Sequence, residues 1–332
     1  MIAKHFAALA FCFLAIARCC EMSITIEKVV DAVELGEGPH WDVTSQKLYY
    51  VDINGQKIMR LDPTTGKVNY AYMKDGHVGV VVPVEGTKDK LIAGVGRNVV
   101  LVSWDGESNN DNPPIKVLAS LDTDRTDTRI NDGKCDPAGR FWAGTMGLEV
   151  NSTIEPNRGA LYLIDSDSSV KKVLSPVSIS NGLTWNLQKD VMYYIDSMTR
   201  QVSAYDYNNA DGSITNKRVI FDIKSNNIEG LPDGMTNDAD GNLWVALFNG
   251  KAVIQIDPKR GKLLRKIELP VDRITSVAFG GPQLDTLYVT SAYVGMTAEQ
   301  RKLKPDSGAL YSIKGLGVKG CPPNNFKYHI LQ

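Results

Sequence analysis

The sequence predicts an all-β fold, a six-bladed β-propeller with four short strands per blade, on three observations. Six apolar runs recur at a spacing of about 40–50 residues. Several are followed by hairpin signals, and no segment beyond the first twenty residues shows a sustained helical period with caps. Four-stranded sheets repeated around an axis suit a period of this length, because radial repetition leaves only short, protected edges.

In chain order the runs lie at 48–52, 91–94, 141–144, 192–196, 243–246 and 287–290, each rich in aromatic or β-branched residues. Three second runs end in a turn: Asp62-Pro63 through Gly66, Asp257-Pro258 through Gly261, and Tyr207 through Asp211-Gly212. These are hairpin signatures. The alternating stretch 24–30 precedes the first repeat and is expected to complete the last blade and close the ring. No Pro- or Ser-rich linker interrupts the repeats, so residues 21–332 are read as one propeller domain.

The first twenty residues read differently. Lys4, the apolar stretch 6–17 and then Arg18-Cys19-Cys20 describe a secretory signal, too short for a membrane span. Residues 1–20 are therefore expected to be a signal peptide and the protein to be secreted, with no membrane association after its removal. A chain translated from Met22 would instead be cytoplasmic. Cys12, Cys19 and Cys20 belong to the leader, leaving Cys135 and Cys321, too few for a disulfide framework. Cys135 is read as a buried thiol. Asn151-Ser152-Thr153 is a glycosylation sequon, with Asn151 the acceptor if the chain is secreted.

Charge and motifs exclude several classes. A formal net charge of −1 with no basic run gives no basis for nucleic-acid binding. Gly315-Leu316-Gly317-Val318-Lys319-Gly320 matches a dinucleotide fingerprint as a string, but Pro322-Pro323 follow it and no helix or second strand can. It reads as a closing loop. Asp122-Thr123-Asp124 and Asp238-Ala239-Asp240-Gly241 lack the spaced ligands of a calcium-binding hand and are taken as surface turns. With four histidines and no nucleophile-elbow or zinc-protease string, any chemistry must use carboxylates, amides and arginine, with or without a metal.

Four polar residues flanked by glycine occupy one register of the repeat: Gly36-Glu37-Gly38, Asn131-Asp132-Gly133, Ser180-Asn181-Gly182 and Pro232-Asp233-Gly234. Each alone is an ordinary turn former. Recurrence in one register is different, because equivalent positions of a radial repeat point at a shared axis. Glu37, Asn181 and Asp233 then supply two carboxylates and a carboxamide, hard oxygen donors suited to one divalent cation. Asp233 is the candidate general base. Arg129, Asn131 and Glu149 offer donors and acceptors for a polyhydroxylated small-molecule substrate. The chemistry best matched to this equipment is hydrolysis of an activated ester such as a lactone.

These motifs resemble the senescence marker protein, gluconolactonase and regucalcin family, and most of all its insect members of the luciferin-regenerating type. The resemblance rests on Gly36-Glu37-Gly38-Pro39-His40-Trp41, Arg129-Ile130-Asn131-Asp132-Gly133-Lys134, Ser180-Asn181-Gly182-Leu183, Tyr193-Tyr194-Ile195-Asp196-Ser197 and Pro232-Asp233-Gly234-Met235. It implies a six-bladed propeller with one divalent cation (calcium, zinc, manganese or magnesium) in the central channel, held by Glu37, Asn181 and Asp233. It further implies substrate contacts at Arg129, Asn131 and Glu149, and Asp233 as base. The function expected is a gluconolactonase-like hydrolase of sugar lactones. The alternatives are a calcium-binding regulatory protein or a luciferin-regenerating-type hydrolase of another small substrate. The protein is expected to be a monomer.

Overall fold

The computed structural model describes residues 23–329. The leader, Met22 and the three leader cysteines lie outside the described residues. Six four-stranded antiparallel sheets form the ring. From the innermost strand outward, blade 1 is Gly36–Asp42, Lys47–Asp52, Lys57–Asp62 and Lys67–Tyr72; blade 2 is Val78–Pro83, Lys90–Val95, Asn98–Ser103 and Ile115–Ser120. Blade 3 is Thr128–Cys135, Phe141–Gly147, Gly159–Ile164 and Val170–Val177, and blade 4 is Ser180–Trp185, Val191–Asp196, Gln201–Tyr207 and Ile214–Asp222. Blade 5 is Leu231–Asn237, Leu243–Phe248, Ala252–Asp257 and Lys262–Glu268. Blade 6 is Ile274–Gly280, Thr286–Ser291 and Leu310–Lys314, completed by Thr25–Val30. That leading strand pairs antiparallel with Leu310–Lys314, so the ring is closed by hydrogen bonds between the two ends of the domain.

Burial grades outward along each blade. Every residue of Val78–Pro83 and Ser180–Trp185 is buried, whereas Ile115–Ser120 is exposed or half-buried throughout. The six apolar runs are the second strands, which are buried on both faces between neighbouring blades and therefore read as near-continuous apolar segments. Trp41, Trp142 and Trp244 are fully buried between blades.

The Asp-rich turns are not simply surface features. Asp238 is fully buried: its carboxylate accepts from Trp244 Nε1 at 2.9 Å, Gln255 Nε2 at 2.7 Å and the backbone N–H of Asn242 at 2.8 Å. Asp136 serves blade 3 in the same way, accepting from Trp142 Nε1, Arg140 Nε and the Tyr207 hydroxyl. Asp122 is buried too and accepts from the Tyr162 hydroxyl at 2.6 Å. A carboxylate that ties a turn to a buried indole is locked inside by its donors, which composition alone does not reveal.

One short α-helix, Ala298–Leu303, was not expected. Its signal is a capping box, in which Thr297 and Gln300 satisfy each other's backbone N–H groups. Cys135 is buried as expected, and Cys135 and Cys321 are both free thiols. The stretch 315–320 is a loop apart from a bridge at Gly320.

The segment after it crosses one end of the channel. Gly320 bridges to Asp238 of blade 5, and the His40 ring of blade 1 lies 3.0 Å from Asn325 Oδ1. Asn324 Nδ2 donates to the Cys135 carbonyl of blade 3, and Phe326 N–H to the Pro83 carbonyl of blade 2. Phe326 itself is fully buried against Phe141 and Tyr328.

A candidate metal and substrate site in the channel

The innermost strands carry an irregularity in the same place in every blade. Register shifts fall between Glu37 and His40, Val78 and Val80, Ile130 and Gly133, Ser180 and Leu183, Pro232 and Met235, and Ile274 and Ser276. A bulge bends the strand and re-aims a side chain. The polar-Gly dipeptides are therefore bulges in innermost strands and not turns. The glycine has its own cause, since a Cβ on Gly182 would lie 2.6 Å from the Asp233 carbonyl oxygen. Only glycine lets blades 4 and 5 approach so closely at the axis.

Glu37, Asn131, Asn181 and Asp233, drawn from blades 1, 3, 4 and 5, line one cavity of about 610 Å³ at the other end of the channel. Each is buried. Arg129 lines it as well, and Glu149 reaches it from an exposed two-stranded hairpin, Glu149–Val150 with Thr153–Ile154. Asn151 lies exposed at the tip of that hairpin, so the sequon borders the mouth.

A chain of hydrogen bonds fixes the amides. Arg129 Nη1 donates to Asn131 Oδ1 at 2.8 Å, and Asn131 Nδ2 donates to Asn181 Oδ1 at 3.1 Å and to the Ser180 carbonyl at 2.9 Å. Asn181 Nδ2 donates to Ser197 Oγ at 2.7 Å, and that hydroxyl donates to the Pro232 carbonyl at 2.7 Å. The network settles the orientation of Asn181, placing its nitrogen on Ser197 and leaving one lone pair of its oxygen free. Both ends of the Asn131 amide are engaged within the protein.

The carboxylates are held at a cost. Burial, with the charge of Asp132 added, pushes the Glu37 carboxyl up to about 8. Burial and then repulsion from Glu37 and Asp132 raise Asp233 well above the usual carboxylate range. Burial lifts Asp132 to about 6. On the cationic side burial lowers Arg129 to about 10, opposed by Glu37, Glu149 and Asp233, and lowers Lys134 to about 8, opposed by Asp132. Neighbouring buried carboxylates resist joint ionisation unless a proton or a cation is shared between them.

That surplus of hard, negatively charged oxygen fits a divalent cation. Among the described residues no group of three or more His, Cys, Asp or Glu is arranged to hold a metal. A site here would consist of two carboxylates and the Asn181 carboxamide.

Three participants escaped the sequence reading. Ser197 stands in the motif Tyr193-Tyr194-Ile195-Asp196-Ser197, but a serine after a strand carries no sign that it braces an amide on the neighbouring strand. Asp132 follows Asn131 within the bulge, and its Oδ1 accepts from the Gly133 N–H at 2.7 Å. Lys134 Nζ donates to the Met235 carbonyl at 2.6 Å, across the channel from its own blade.

Comparison with known proteins agrees with this architecture. Residues 35–314 match the family described as the SMP-30/Gluconolactonase/LRE-like region. Regucalcin of Xenopus laevis is 42% identical over 306 residues, spanning 92% of this chain and 99% of its own, and human regucalcin is 40% identical with the same coverage. A solved structure of luciferin-regenerating enzyme superposes with a TM-score of 0.86 at 36% identity, covering 92% of this chain and all of its own. With a family match over residues 35–314, which reaches all six blades, the chain belongs to the SMP-30/gluconolactonase/LRE-like family.

Proposed function

We propose that this protein is a metal-dependent lactone hydrolase of the gluconolactonase type, acting on sugar lactones. One observation carries the reading: Glu37, Asn181 and Asp233, distant in sequence, meet in a single cavity. The family description, which names gluconolactonase, supports the reaction class. A divalent cation (calcium, zinc, manganese or magnesium) held by these three side chains would polarise the ester carbonyl and lower the pKa of a bound water.

Asp233 takes the proton from the attacking water and returns it to the departing ring oxygen, so the lactone opens to a hydroxy acid. Arg129 presents donors to substrate oxygens, and Glu149 on the rim accepts from hydroxyls. Asn131 and Ser197 hold the Asn181 amide so that its oxygen faces the site. Purified protein stripped of metal should lose lactone hydrolysis and regain it on restoration, and Asp233→Ala should abolish it. Full turnover by Asp233→Ala would end the mechanism.

A second reading is a calcium-binding regulatory protein, favoured by the regucalcins at 40–42% identity. Two carboxylates give modest calcium affinity, which weakens a sensor role. Calorimetric calcium binding without turnover on lactones would select it. For the rest of the chain, we read a secreted monomer released from a leader at 1–20.

A further inference from the structure

Outside the proposed metal site and Ser197, the wall of the cavity is apolar through blades 4, 5 and 6, and it is mixed over blades 1 to 3, where Met146, Leu148 and Ile154 stand beside polar groups. Blades 4, 5 and 6 contribute Ile179, Leu231, Phe248 and Val294, all half-buried, and the arc continues onto Leu35 and Ile53 of blade 1. The other lining side chains from blades 4–6 are Asn181, Asp233 and Ser197. The first two belong to the proposed metal site, and the Ser197 hydroxyl is already spent between Asn181 and the Pro232 carbonyl. The polar groups His77, Arg129, Asn131 and Glu149 gather on blades 2 and 3, while Glu34 is engaged by Asn54 Nδ2 at 3.0 Å.

A sugar lactone seated with its ester over the carboxylates would turn one edge of hydroxyls toward blades 4–6, where no free side-chain donor or acceptor meets them. A hydroxyl buried without a partner loses its water hydrogen bonds and gains none. Half-open apolar side chains in a concavity are area that an apolar ligand can remove from water.

We propose that the preferred substrate is a lactone bearing an alkyl substituent, with its ester over Glu37, Asn181 and Asp233 and its chain along the arc of Ile179, Leu231, Phe248 and Val294. This rests on the hydrolase reading and narrows its substrate class. The reaction is unchanged: water adds to the carbonyl carbon, the ring C–O bond breaks, and a hydroxy acid leaves.

The test compares δ-decalactone with D-glucono-δ-lactone on the full-length purified protein with manganese present. The expected kcat/KM favours δ-decalactone by about tenfold or more. That ratio should fall about tenfold in the Phe248→Asn, Val294→Asn double variant, and in Ile179→Thr should the double variant not fold. Equal or better use of gluconolactone overturns the proposal, as does a ratio unmoved by either variant.

Calorimetric binding of 5-hydroxydecanoate against gluconate separates the two claims. Preference for 5-hydroxydecanoate without turnover of either lactone sinks the hydrolase reading and leaves the apolar arc standing. Equal binding of the two acids overturns the arc whether or not lactones turn over.

Discussion

Ser197→Ala tests how the site is braced. The hydroxyl accepts from Asn181 Nδ2 and donates to the Pro232 carbonyl, both at 2.7 Å, and Ser197 is buried. Alanine removes one oxygen, leaving a buried amide N–H without its acceptor and a buried carbonyl without its donor. Stranding buried groups costs about 1–3 kcal/mol each, so global stability should fall by about 2–6 kcal/mol for the two. The second effect is on Asn181, whose amide is then held only by Asn131 and can turn its oxygen away from Glu37 and Asp233. Partners that orient a metal ligand are typically worth about 10–100-fold in metal affinity, and that loss is expected here by calorimetric titration of manganese or calcium. Urea denaturation of the metal-free protein supplies the stability arm. A variant that loses stability but binds metal within twofold of the parent would refute the bracing role.

Three further outcomes follow from the same geometry. Asp136→Ala strips the fully buried Arg140 partner at 2.8 Å along with acceptors for Trp142 and Tyr207, and should cost about 3–5 kcal/mol in urea denaturation because it leaves a charge unpaired. Phe326→Ala removes a fully buried ring from the segment that crosses blades 5, 1, 3 and 2, and a loss of about 3–5 kcal/mol is expected with channel chemistry at the opposite end retained. Burial holds the His40 imidazole near 4, below the ordinary 6.5, so the unfolded chain takes up that proton first as pH falls. Stability is therefore intact above pH 6.5 and declines between 6.5 and 4 by up to about 3 kcal/mol, a decline that His40→Gln should flatten in pH-dependent thermal denaturation.

The repeat was legible because each second strand is buried on both faces and so reads as a continuous apolar run: 141–144 and 243–246 carry no polar side chain and share a tryptophan at the second place. Ring closure by Thr25–Val30 was legible for a different reason, as an alternating strand left without a partner ahead of the first repeat. Glu37, Asn131, Asn181 and Asp233, which line the cavity, share a register that the sequence shows, although the bulge in which each one sits is not visible there. Asn-Gly and Asp-Gly serve turns and bulges alike, and the choice here is made by crowding between Gly182 and Asp233 across two blades.

What escaped notice depends on contacts distant in sequence. Ser197 matters only because Asn181 and Pro232 both reach it, and Asp238 is buried only because Trp244 and Gln255 donate to it. The short helix Ala298–Leu303 carries a readable capping box but too few turns for a period.

The most direct test of the account is diffraction from crystals soaked in manganese, recorded at a wavelength where the ion scatters anomalously. One peak is expected in the channel, within about 2.5 Å of carboxylate oxygens of Glu37 and Asp233 and of Asn181 Oδ1. A soaked crystal whose only ion lies away from these three side chains, or which holds none, would contradict it.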